Sequence, residues 1–278
     1  MTRLPGALVR AFLIVLLIAT PALLLPHSST DSIQVTALVA VFAAALTLVE
    51  YNAEYPGLVE FRDAPPFNRV RFLSLAVTVY LLTVIARGEV VPTEFSLLVS
   101  SIGALIGQSI DFAYSPVRLV VLMMPPDTDP LLIERVRTAA GLSYLVSLVS
   151  LAVFLIVLRL HGWPSRSGAF NVWVNLPTFD PTAGGDVVAR LTRDARVNVA
   201  LGFLLPFAIP AFVKLASDLF DPVSLSNPQT LIWTMTAWAF LPASLFMRGI
   251  AMGRVAQMIE EKRREAYHKA RADGVLVI

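Results

Sequence analysis

The chain has 278 residues, 56% of them hydrophobic and 15% charged, with a mean hydropathy of +0.70. Soluble domains carry about 25% charged residues, so this chain has too little polar surface to clothe a soluble globule and reads as an all-α, polytopic transmembrane bundle. A net charge of +2 gives no ground for a nucleic-acid partner, and the absence of cysteine excludes disulfides, thiolate metal sites, iron–sulfur clusters and thiol nucleophiles.

A membrane-crossing helix needs about 20 mostly apolar residues, and about seven segments approach that requirement. They lie near 7–25, 33–50, 72–86, 95–114, 139–159, 199–220 and 230–250. The runs are too long and too uniformly apolar for barrel strands. Arg3 and Arg10 precede the first apolar stretch, yet no small-x-small cleavage site follows, so it is expected to remain as a helix. The second segment places Thr36, Ala40, Ala43, Ala44 and Thr47 on one face. Glu50 and Glu54 form its polar end, without the Glu-x-x-His partners of a di-iron bundle. The polar stretch 51–71 contains adjacent Pro65 and Pro66 and reads as a fixed surface loop.

The fourth segment carries the sharpest pattern. Ser100, Gly103, Ala104, Gly107, Gln108 and Asp111 recur at helical spacing and form one small, polar face, with Leu98, Ile102, Leu105 and Ile106 opposite. Gly103 and Gly107 form a GxxxG motif, which permits close approach of another helix, from this chain or from a partner. The run PVRLVVLMM at 116–124 is too short to cross and is expected to be buried, interfacial or re-entrant.

The long connection at 160–198 holds Trp163 and Trp173, which suit a headgroup-level aromatic belt. Its Gly-Gly turn precedes Asp186, a plausible N-cap. In the sixth segment Pro206 and Pro210 remove backbone donors and predict a kink. Lys214 and Asp218 lie near its end. As an interface anchor with a local ion pair they need no further role; as intramembrane charges they form a candidate polar pathway. A second GxxxG, Gly249 to Gly253, marks the exit of the last segment. Residues 1–250 thus read as the transmembrane domain and 251–278 as a charged tail, helical through EEKRREAYHKAR.

Basic residues favour the cytoplasmic side. The early loops place the N-terminus inside, and the dense tail places the C-terminus inside. Seven crossings cannot satisfy both, so either one segment does not cross, another crossing is hidden near 114–130, or the rule is broken. The tail is the stronger signal, which favours a cytoplasmic C-terminus.

No P-loop, HExxH, GxSxG or dinucleotide fingerprint occurs, and His27, His161 and His268 all lie outside the apolar segments. No catalytic residue, metal ligand or cofactor is predicted. The preferred expectation is a non-enzymatic accessory, scaffold or assembly subunit of a bacterial inner-membrane complex, bioenergetic or photosynthetic. Its partners would be the lipid bilayer and other integral membrane proteins, docked through the GxxxG faces. Arginine outnumbers lysine 19 to 3, which fits a GC-rich bacterial composition. The alternatives are a small-solute or ion transporter using Lys214, Asp218 and Asp111, and a lipid-directed enzyme, which would need carboxylates and arginines converging at one interface.

Overall fold

A computed structural model describes all residues except 1–2, 27–28, 165–169, 181, 183, 218–223 and 274–278. Regular structure among the described residues is entirely helical: α1 (Leu4–Leu24), α2 (Thr30–Asn52), α3 (Phe67–Gly88), α4 (Glu94–Ser109), α5 (Pro116–Leu122), α6 (Pro130–His161), α7 (Val172–Asn175), α8 (Val187–Ser217) and α9 (Pro228–Ala272). Six of these, α1, α2, α3, α6, α8 and α9, are long and apolar enough to cross a membrane. The chain is therefore a multi-pass helical membrane protein.

The helix boundaries follow local chemistry. Ser29, Thr93, Ser115, Asp129 and Asn227 each accept a hydrogen bond from a first-turn amide, which satisfies donors that the helix itself leaves open. α6 ends on Gly162, whose φ of +58° is the left-handed conformation that glycine adopts without a Cβ clash.

The two ends of the bundle are defined by which turns meet. At one end Arg3 donates to the carbonyls of Ala53 and Glu54, Phe67 of α3 packs on Phe154 of α6, and Arg263 of α9 pairs with Asp186 before α8. At the opposite end Ser32 of α2 bonds Gln229 of α9, and Glu89 pairs with Arg135 of α6 at 2.9 Å. The N-terminus and the α9 extension share the first end. Each end has its own core. Phe61, Phe67, Phe154, Leu176, Met247 and Met252 fill the terminal end; Val79, Val117, Val120, Val136, Ile232 and Met235 fill the other.

The expected fourth crossing is not among the six. α4 has 16 residues, about 24 Å at 1.5 Å per residue. Its Ser96 sits under Gly88, the last residue of α3, and its Gly107 lies on Arg137 and Gly141 of α6. Both its ends therefore contact the same end of the bundle. The small face expected from sequence is present, and it packs inward: Gly103 and Gly107 are buried, whereas Leu98, Ile102 and Leu105 are exposed. A Cβ on Gly107 would stand 2.7 Å from the Arg137 carbonyl, and one on Gly141 would stand 2.5 Å from the Gly107 Cα. This GxxxG serves packing within the chain. α5 is tucked in beside it, with Val117 and Val120 buried.

α8 and α9 make the most extensive helix pair. Gly202 faces the Pro242 carbonyl and the Phe246 amide, and Gly249 faces the Ala195 carbonyl, so the second GxxxG also begins inside the chain. The helix continues through Pro206 and Pro210. Pro210 has no amide hydrogen, which leaves the Pro206 carbonyl without its helical donor. The Trp238 indole of α9 supplies one at 3.1 Å. A residue that breaks the hydrogen-bond ladder thus becomes a cross-link between two helices.

Candidate functional site at the terminal end of the bundle

The stretch after α2 is a fixed loop. The buried carboxylate of Glu50 accepts hydrogen bonds from the amides of Gly57, Leu58 and Val59, at 2.8–3.2 Å. The equally buried Arg62 donates to the carbonyls of Glu50, Ala53 and Glu54. Two opposite charges thereby satisfy the backbone of an irregular segment, which otherwise could not be buried. Phe61 has a φ of +52°, uncommon for a residue with a Cβ. Its amide donates to the Asn175 carbonyl at 2.6 Å, and its ring is fully buried among Phe67, Trp163 and Phe170. Tertiary contacts on both backbone and ring hold that conformation. Trp163 accordingly departs from the expected headgroup belt: it is drawn into this aromatic cluster and buried, while Trp173 is 55% exposed.

Beneath the loop, Glu60 ties three elements together. It accepts two hydrogen bonds from the Arg248 guanidinium of α9, at 2.5 and 2.7 Å, and one from the Thr178 hydroxyl at 2.6 Å. Arg248 also donates to Asn198 of α8 at 2.9 Å. A bidentate guanidinium–carboxylate pair fixes both distance and plane, which a lysine could not do.

Beside this pair lies a cavity of about 830 Å³, walled by α1, α3, α9, the end of α2 and the 58–66 loop. Arg10, Arg69, Arg71 and Arg248 line it against a single carboxylate, Glu60, with Tyr51 and Asn68 as neutral polar groups. The Arg71 guanidinium lies 5.0 Å from the Phe67 ring and 5.9 Å from the Phe240 ring, and Arg10 lies 4.7 Å over Tyr51. Such stacking orients a cation without neutralising it.

The third feature of this end is the arm of α9. The helix has 45 residues, about 68 Å, more than twice the hydrocarbon thickness of about 30 Å. From Glu260 onward nearly every residue is exposed on every side. Asp186 caps the first turn of α8, as expected, through the Ala189 amide at 3.2 Å, and also accepts a 2.6 Å bond from Arg263 at the base of the arm. That arginine bond holds the Asp186 carboxyl below its ordinary range. At the opposite end, burial pushes the Glu89 carboxyl up, against the pull of Arg135.

The residues singled out from sequence fall elsewhere or into packing. Gly103, Gly107 and Gln108 line the α4–α6 contact, where Gln108 donates to Glu134 at 3.3 Å, and Ser100 is half-buried on α4. Asp111 accepts from Arg137 at 2.8 Å and lies 3.1 Å from Arg118 Nε, off the hydrogen-bond axis. Arg137 also bonds Glu134. Gly249 is packed on α8, and Gly253 lies 3.8 Å (measured from an added Cβ) from Ala195. Lys214 is half-buried near the end of α8, and Asp218 lies outside the described residues.

Sequence reading missed Arg10, Arg71 and Arg248 as a group. The available signal was an arginine inside, or at the mouth of, three separate apolar runs. Nothing in the spacing indicated that these runs would converge. Among the described residues no cluster of His, Asp and Glu is placed to hold a metal ion. No known protein family, curated protein or solved structure matches the chain.

Proposed function

We propose that this chain is a non-enzymatic accessory or assembly subunit of a bacterial inner-membrane complex, with both termini in the cytoplasm. The observation that carries this reading is the exposed arm of α9. A helix that is polar all round has no apolar face to bury against its own bundle, which leaves it available to engage another surface. Residues 260–272 carry five basic and three acidic side chains, which favours an acidic or mixed-charge partner surface close to the membrane.

The orientation rests on charge. Arg3, Arg10, Arg62, Arg69, Arg71, Arg190, Arg193, Arg196 and the arm all lie at the terminal end, and the α1–α2 connection has no basic residue. The opposite end carries Arg87, Arg118, Arg135, Arg137 and Lys214, with Arg118, Arg135 and Arg137 within salt-bridge distance of carboxylates. With six crossings the N-terminal and C-terminal charge signals agree, which removes the conflict that seven created.

The carboxylates of Glu50, Glu60, Asp63 and Asp186 at the terminal end are all engaged in bonds that hold the loop, the helices or the arm. This supports a scaffold rather than acid–base chemistry. Asp111, on which the transport reading leaned, is engaged between two guanidinium groups.

The test is affinity purification from native membranes in mild detergent, with mass spectrometry of what is recovered. The reading expects one or more integral membrane proteins at stoichiometric yield, and loss of that recovery when the chain is ended after Ile259. Recovery of the chain alone from both preparations rejects it.

A further inference from the structure

The cavity at the terminal end contains an unmet demand. Four arginines and one glutamate give its wall a formal excess of three positive charges. Glu60 is committed to Arg248 and Thr178. Neither Arg10 nor Arg71 has a carboxylate within salt-bridge distance among the described residues. Arg71 Nε is buried and has no acceptor, and its Nη1 reaches only Asn68 Oδ1, at a long 3.4 Å. A buried guanidinium donor without an acceptor is costly, because the water it gave up has not been replaced.

The rest of the wall says what kind of molecule brings the acceptor. Val9, Leu13, Leu58 and Leu75 line the cavity, and Val9 and Leu13 are exposed on the outer surface of α1. Of its arginines, Arg71 and Arg248 are partly buried and Arg10 and Arg69 are exposed, and beside them the lining from α1 and α3 is largely apolar. A free inorganic anion would match only the arginines. An amphiphile with a phosphate head and a hydrocarbon chain matches both, since guanidinium forks fit phosphate oxygens and basic pockets between membrane helices suit anionic head groups. The volume lies within the range of about 300–1,000 Å³ that ligand cavities occupy.

We propose that this cavity binds the head group of an anionic membrane phospholipid, with Arg71 and Arg10 donating to the phosphate and the groove along α1 and α3 taking the start of an acyl chain. Arg248, held by Glu60, sets the positive potential of the inner wall. The site stands independently of the accessory-subunit reading, because it rests on the cavity and not on the arm.

The full chain, purified in non-ionic detergent and stripped of lipid, is mixed with phosphatidylglycerol, with phosphatidylcholine or with inorganic phosphate, and the bound species are read by native mass spectrometry. The expected result is retention of one phosphatidylglycerol at least about tenfold over phosphatidylcholine. Arg71→Gln is expected to lower that retention about tenfold, the loss of one charge-assisted hydrogen bond. Arg10→Gln, on an exposed stretch of α1, lowers it as well and decides the matter alone where Arg71→Gln does not fold. Arg254→Gln, exposed at the same end and outside the cavity, leaves it unchanged. Equal retention of the two lipids overturns the proposal, as does wild-type retention in the folded arginine variants. Displacement of the lipid by millimolar inorganic phosphate also overturns it, assigning the site to a soluble anion.

Discussion

The two glycines of the second GxxxG motif should respond to the same substitution with opposite signs. A Cβ added at Gly249 would lie 2.6 Å from the Ala195 carbonyl oxygen, 2.8 Å from Val199 Cγ2 and 2.9 Å from the Val199 amide nitrogen. Ordinary contact begins near 3.4 Å, so α8 and α9 must separate by about 0.8 Å, and two of the three obstacles are backbone atoms that cannot rotate away. Overpacking of this kind costs about 1–3 kcal/mol, while alanine returns about 0.8–1 kcal/mol of helix propensity. Gly249→Ala should therefore destabilise by up to about 2 kcal/mol. At Gly253 the added Cβ would meet only Ala195 Cβ, at 3.8 Å. Nothing opposes the propensity gain there, and Gly253→Ala should stabilise by up to about 1 kcal/mol. Unfolding of the two variants in mixed micelles, followed by Trp fluorescence and referred to wild type, separates the cases. If both variants shift the same way, the close approach of α8 and α9 at Gly249 is wrong.

Glu60→Gln should destabilise by about 2–4 kcal/mol, because it leaves the half-buried Arg248 without its carboxylate, and Glu60→Leu combined with Arg248→Met should recover much of that loss in the same assay. Asp111→Asn should lower the unfolding midpoint by the equivalent of about 1–3 kcal/mol through its contacts to Arg137 and Arg118; an unchanged midpoint would remove its structural role. The Asp186 carboxyl is held below its ordinary value of 3.8 by Arg263, so its tie to the arm is fully present above that value and is lost as pH falls through the lowered one. Spin labels on Ala189→Cys and Ala266→Cys should give a narrow distance distribution at pH 6 that broadens only below 3.8; broadening near pH 5–6 contradicts the assignment. Glu54→Cys and Ala266→Cys should react with an impermeant thiol reagent from one face of sealed vesicles, and Val91→Cys and Ser226→Cys from the other, in a chain that contributes no cysteine of its own.

Most of the bundle was legible because apolar length and helical period are local properties. Six of the seven expected segments are helices able to span, and within the Ser100–Asp111 stretch Gly103 and Gly107 are buried while Gln108 is exposed. The crossing assigned to 95–114 was not legible, because an apolar helix of 16 residues can span thinly or lie across a bundle end. Contacts made by Gly88 and Arg137, distant in sequence, place both its ends at the same side. The direction of Trp163 was lost for the same reason: a belt position and an aromatic core position have identical local patterns. The cavity is the extreme case. Its arginines are 61 and 177 residues apart along the chain (10 to 71, 71 to 248), and only the packed helices make them neighbours.

The length of α9 has a mechanical consequence. Pro242 is the only proline inside this helix beyond its first turn, and it lies before Arg248, so no break in the hydrogen-bond ladder separates Arg248 from Ala272. Arg263 lies about 22 Å further along the same rod. A torque applied to the exposed arm has no hinge in which to dissipate, and it turns the Arg248 side chain against Glu60 and Asn198. Whatever grips the outside of this protein also holds one wall of its inner chamber.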